Sequence, residues 1–146
     1  MEIKGKKGLM FFAALASAAF LANFCWESLQ GLLYVAHPDM AASDYVPMMF
    51  FMSLMDALGI LALYCLTAHF SRRWFWSTDL RNTSFFFLSA LVAAYAVEYV
   101  ALFMLHLWQY RPLMPRLFGI GLFPLLQMSL TGLFSVFVAR HVAGNW

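Results

Sequence analysis

Charged side chains are scarce in this chain. Asp, Glu, Lys and Arg make up 11% of its residues, against about 25% in an ordinary soluble domain. The nine basic residues are scattered and the net charge is only +2, so no basic stripe suggests a nucleic-acid partner. There are two cysteines, Cys25 and Cys65, in separate apolar runs. They form no CxxC pair, which leaves no visible redox or metal motif, and both are expected to be buried thiols acting as small apolar groups. Linkers, low-complexity tracts and internal repeats are also missing, so a single domain is expected.

What is abundant is apolar surface, 64% of residues with a mean hydropathy of +0.75. Four runs stand out, at about 8–36, 46–70, 84–108 and 117–143. Each has the roughly 20 apolar residues that a helix needs to cross a bilayer. The sequence therefore predicts an all-α polytopic membrane protein with four transmembrane helices in an antiparallel bundle. The basic start and the Ala16-Ser17-Ala18 site imitate a signal peptide. Because the apolar run continues past Ala18 to Ala36, a first span is expected instead.

Lys and Arg in short flanking loops set orientation. Lys4, Lys6, Lys7, Arg72, Arg73, Arg81 and Arg140 fall on one side of the predicted spans, and Arg111 and Arg116 on the other. Both termini are thus expected in the cytoplasm, and the sequon-like Asn82-Thr83-Ser84 would face it too. Trp74, Trp76, Trp108 and Tyr110 stand at predicted span ends, where aromatic rings anchor at headgroup level.

Against this background the polar residues inside the spans carry the information. Asn23, Glu27, Gln30 and Tyr34 follow i, i+4, i+7, i+11, one stripe of a helix. Glu27, Asp56, Glu98 and Gln127 each lie nine or ten residues from the predicted loop end of their helix. At about 1.5 Å per residue, all four sit about 14–15 Å deep, which predicts one polar layer. Tyr95, Glu98 and His106 form a second stripe flanked by Tyr99, and a widening cavity is expected to end near His106, Arg111 and Arg116. Pro124, with Gly119 and Gly121 nearby, is expected to kink the fourth helix and free the Ile120 carbonyl.

Acids facing lipid would cost at least about 2.5–3.5 kcal/mol each on insertion scales. They are expected to face inward, where burial and mutual repulsion favour retaining a proton on one or more of Glu27, Asp56 and Glu98. A protonated acid in an oily pocket is a proton donor, and these three are the candidate catalytic residues. Asn23, Trp26, Gln30, Tyr34, Tyr95, Tyr99, His106, Arg111 and Gln127 are the candidate ligand-binding residues, with the aromatic faces available to a developing cation. The carboxylates and Gln127 offer oxygen ligands to a hard cation, but no spacing signature requires one. No metal site or cofactor is assigned, and the histidines give no intramembrane haem pair.

The stretches NFCWESLQGLLY and EYVALFMLHLWQYRPLMPRLFGIGLFPLLQ, with the Asp56 span, resemble small uncharacterised bacterial four-helix integral membrane proteins. Their pattern is N-x-x-W-E-x-x-Q, then W-x-Y, M-P, G-x-G and P-x-x-Q. The resemblance covers most of the chain and implies a bacterial cytoplasmic membrane location but no activity. Asn23-x-x-Trp26-Glu27 is also similar to integral-membrane terpene cyclases, which are longer and have more spans. The expected function is an acid–base enzyme of cyclase or isomerase type, acting on a lipophilic isoprenoid-like molecule. The alternatives are a proton- or cation-linked small transporter or binding protein, or an accessory subunit of a membrane complex. The small residues Ala13, Ala14, Ala18, Ala19, Gly119 and Gly121 allow close helix contacts in a homodimer.

Overall fold

The computed structural model describes residues 5–144, so Lys4 of the charge argument lies outside the described residues. The chain folds into four helices: α1 (Gly5–Gln30), α2 (Ala42–Ser71), α3 (Leu80–Tyr99) and α4 (Leu122–Ala143). All are long and apolar enough to cross a membrane, as befits an integral membrane protein in which backbone groups must be satisfied within each span. Neighbours run antiparallel, with α1 packed on both α4 and α2, and α3 packed on α4. Local chemistry stops and starts the helices. Arg72 takes the left-handed conformation (φ 56°) after α2 and returns its amide to the Ala68 and His69 carbonyls. Asp79 caps α3 by accepting from the Asn82 amide at 2.8 Å. The Asn82 side chain donates back to Asp79 at 3.1 Å and to the Ser77 carbonyl at 3.0 Å, so the sequon-like asparagine is used in a cap.

The loop end differs from the predicted spans. After α1 one turn of 3-10 helix, Gly31–Leu33, follows, and α3 relaxes into a π-helical turn, Val100–Met104. The chain does not continue as helix to Trp108. It reverses through His106, at φ 53°, and pairs with the segment after α1. Val35 N donates to Gln109 O at 2.9 Å and Arg111 N to Leu33 O at 2.8 Å. A small hairpin follows, β1 (Arg116–Leu117) against β2 (Ile120–Gly121). Pro124 therefore lies in the first turn of α4, where no intrahelical partner for its nitrogen is needed. It begins the helix and does not kink it.

These boundaries change the depth argument. Glu98 is six residues from Met104 and Gln127 five from Leu122, while Asp56 is fourteen from Ala42. At about 1.5 Å per residue that is about 8–9 Å against about 21 Å. The polar residues meet because the helix ends are staggered and the loops fold over the shorter ones.

The opposite end holds the main apolar core, with Phe11, Leu15, Ile60, Tyr64, Trp76, Phe86 and Val136 buried together. Trp76 is 0% exposed, so it is a core residue and not a headgroup anchor. Cys25 and Cys65 are exposed instead of buried. In a bilayer the outer surface is itself apolar, and a thiol has no reason to prefer the inside. Ala19 and Gly121, read as homodimer contacts, are buried within the chain's own bundle. At Gly132 an added Cβ would meet the fully buried Phe86 ring at 2.7 and 2.8 Å. Gly132→Ala is expected to destabilise by about 1–3 kcal/mol through overpacking. Thermal unfolding in detergent measures it, and a neutral result would mean that Phe86 has room to move.

Candidate functional site

The stripe on α1 faces inward as its period requires, with Asn23, Glu27 and Gln30 all buried. Gln127 on α4 is the hub. Its Nε2 donates to Asp56 Oδ2 at 2.7 Å, Glu27 Oε1 at 2.8 Å and Asn23 Oδ1 at 3.0 Å. Its Oε1 accepts from Gln30 Nε2 at 2.6 Å, and the same Gln30 nitrogen donates to Glu27 Oε1 at 3.1 Å. Thr131 Oγ1, one turn on, donates to the Gln127 carbonyl at 2.7 Å and lies 3.2 Å from Asn23 Oδ1.

The direction of this network is set at its edge by Trp26. An indole N–H only donates, and Trp26 Nε1 donates to Gln30 Oε1 at 3.0 Å. The Gln30 nitrogen must then point at Gln127 Oε1, which turns Gln127 Nε2 toward the acids. That nitrogen carries two hydrogens and faces three oxygens, two of them carboxyl. Asp56 and Glu27 are also within hydrogen-bonding reach of each other. Among the described residues, no Lys, Arg or His donates to either acid.

Glu98 has separate partners. Both Trp108 Nε1, at 3.3 Å, and Tyr110 Oη donate to its Oε2, so these two rings are ligands of a buried acid and not span-end anchors. Burial and then the hydrogen bond to Glu98 push the Tyr110 hydroxyl far up, which keeps it a donor at any physiological pH. Glu98 meets Glu27 across a cavity of about 70 Å³, lined also by Tyr34, His37, Met48, Met49, Met52 and Trp108. Tyr34 is likewise pushed far up, by burial and then by Glu98. His37 stacks on Tyr34 with ring centroids 5.1 Å apart, and burial lowers its pKa. At about 30 Å³ per water, this space, with two carboxyl groups and a phenol on a wall otherwise largely apolar, has room for one or two waters.

A second space opens from Gln30 toward the outer surface. It is a groove of about 270 Å³ lined by Trp26, Leu29, Gln30, Leu33 and Phe123, and Leu29 and Phe123 at its rim are exposed. It gives apolar access from the lipid side to the amide that touches Glu27.

Other sequence-selected residues lie apart. Tyr95 and Tyr99 stack on one another on the exposed face of α3. Arg111 is spent on the Leu32 carbonyl at 3.2 Å. His106 is exposed, with Nδ1 3.1 Å from the Leu102 carbonyl, and borders an outer cavity of about 420 Å³ with Trp108, Tyr110 and Arg116. The expected single widening cavity is thus divided, with Trp108 and Tyr110 as the partition. Sequence reasoning missed His37 and the Met48, Met49 and Met52 wall; Met48 and Met52 share an i, i+4 face, but that spacing is common in any apolar helix. Among the described residues, no group of three or more His, Cys, Asp or Glu side chains is placed to hold a metal ion. No protein-family model matches the chain, and no curated protein or solved structure matches it.

Proposed function

We propose that the Glu27–Asp56–Gln127 centre is an intramembrane acid–base site that exchanges a proton with a lipophilic, isoprenoid-like substrate, in a reaction of cyclase or isomerase type. The observation that carries the proposal is that Glu27 and Asp56 lie within hydrogen-bonding reach of each other, with amide donors and no basic side chain beside them among the described residues. Two ionised carboxylates only accept and cannot hydrogen-bond to each other, and one proton held between Glu27 and Asp56 supplies the donor that their contact needs. The same proton removes one of two buried negative charges that no basic side chain among the described residues offsets, and an unpaired buried charge is costly. A general acid needs such a proton within reach of the reacting atom. The groove between Trp26 and Phe123 supports a lipophilic substrate, which would enter from the bilayer, with the Trp26 face beside it available to a developing cation.

Glu98 and the cavity of about 70 Å³ support a second reading, proton-linked transport or binding. That space is too small for an isoprenoid but wide enough for water, and joins Glu27 to the loop end beneath His37. Mass spectrometry of species retained in mild detergent separates the two. A polyisoprenoid or sterol-like molecule is the expected result; a bound metal, or nothing hydrophobic, would sink the enzyme reading.

The Lys and Arg asymmetry supports both termini in the cytoplasm, and the resemblance to small bacterial membrane proteins supports a bacterial cytoplasmic membrane. Single cysteines at residues 39–44 are then expected to react with an impermeant reagent from outside intact cells. Labelling only after the cytoplasmic face is opened would invert the topology.

A further inference from the structure

At the end of the bundle remote from the acids, one cation has no carboxylate partner among the described residues. Arg140, in the last turn of α4, is half-buried; it donates through a terminal nitrogen to the Trp76 carbonyl and lies over the Trp76 ring at 5.9 Å. Its Nε–H is buried without a partner, and so is the indole N–H of Trp76 beside it. Among the described residues no carboxylate pairs with Arg140. Asp79, which caps α3, directs its oxygens to the Asn82 amide and the Ser77 hydroxyl. A guanidinium with no carboxylate partner among the described residues and buried N–H groups without partners each carry a desolvation penalty, which an anion would relieve.

The space next to Arg140 has the shape and gradient for one. A cavity of about 430 Å³ is lined by Thr78, Thr83, Leu133, Val136, Phe137, Arg140 and His141. Two hydroxyls, an imidazole and the guanidinium stand at the outer level. Leu133, Val136 and Phe137 continue inward along the same face of α4, and Leu133 is about 10 Å deeper than Arg140 at 1.5 Å per residue. Polar donors above and an apolar wall below fit an amphiphile with an anionic head.

We propose that this cavity binds a phosphate group, supplied by a glycerophospholipid whose head reaches Arg140 and Thr83 and whose chain lies along Leu133 and Phe137. Arginine suits the role because its fork of N–H donors matches phosphate oxygens. The site is independent of the acid–base centre and does not rest on it.

The test uses the delipidated full chain in neutral detergent, followed by its thermal unfolding midpoint. The probes are a short-chain phosphatidylglycerol, the corresponding diacylglycerol, and inorganic phosphate. The phosphatidylglycerol is expected to raise the midpoint saturably, since a ligand that binds only the folded state stabilises it, and the other two to leave it unmoved. An equal rise with inorganic phosphate would keep the phosphate site and overturn the lipid as its source. An equal rise with diacylglycerol, or no rise with any probe, would overturn the site itself. Arg140→Gln is expected to abolish the shift. Should that variant fail to fold, Thr83→Val with His141→Phe leaves the Arg140–Trp76 contact in place and is expected to weaken binding about tenfold, the scale of one or two lost hydrogen bonds. Unchanged binding in that double variant would remove these residues from the site.

Discussion

Gln127→Leu is expected to cost at least about 3 kcal/mol of stability, more than any other single replacement in the polar layer. Leucine approximates the volume but removes every polar contact at once. Asp56, Glu27 and Asn23 each lose a donor now within 3.0 Å, and Gln30 Nε2 loses the acceptor at 2.6 Å. A buried polar group left unsatisfied costs about 1–3 kcal/mol, and more if charged, whereas removing both partners together can be nearly neutral. The loss should therefore be strongly non-additive. Asp56→Leu combined with Gln127→Leu is expected to recover part of the stability, because it deletes one of the stranded groups. A double-mutant cycle on thermal or denaturant unfolding reads the coupling. A cost below about 1 kcal/mol for Gln127→Leu, with no coupling to position 56, would mean that the network does not act as a unit.

This network is largely legible in the sequence alone. The helical spacing of Asn23, Glu27 and Gln30 fixes them on one face, and the cost of a carboxylate in lipid directs that face inward. Gln127 and Asp56 follow by the same argument on other helices. The loop end was not legible, because residues 100–107 are apolar enough to continue a span, and hydropathy does not register a chain reversal. Sequence position alone therefore puts Trp108 and Tyr110 at the headgroups, whereas the π-helical turn and the left-handed His106 bring them back onto Glu98. Tyr95 and Tyr99 show a second limit. When both the core and the surroundings are oily, an aromatic residue pointing in and one pointing out have the same composition, and only packing distinguishes them. The same blindness concealed Trp76, whose place in the core depends on the connection after α2 folding beneath the bundle.

Glu27→Gln is expected to keep the fold, with stability equal to or above the parent, and to lower turnover or proton-linked transport by about 10²-fold or more, the usual contribution of a positioned acid or base. The geometry makes the substitution unusually clean. Gln127 and Gln30 both donate to the same oxygen, Glu27 Oε1, at 2.8 and 3.1 Å. A glutamine carbonyl can accept both, leaving its NH₂ to donate to Asp56 in place of the shared proton. Size and hydrogen bonds survive, and only the exchangeable proton is lost. Glu27→Leu is the necessary contrast, because it removes the acceptor and strands both amide nitrogens, so it should destabilise where Glu27→Gln does not. Glu98→Gln follows the same logic, since Trp108 and Tyr110 converge on a single oxygen that an amide carbonyl reproduces. Unfolding midpoints and an assay supplied with candidate lipophilic substrates, run on the same preparations, decide between chemistry and scaffolding. If Glu27→Gln and Glu98→Gln both unfold the protein, the ionisable form itself holds the helices together, and the acid–base reading falls.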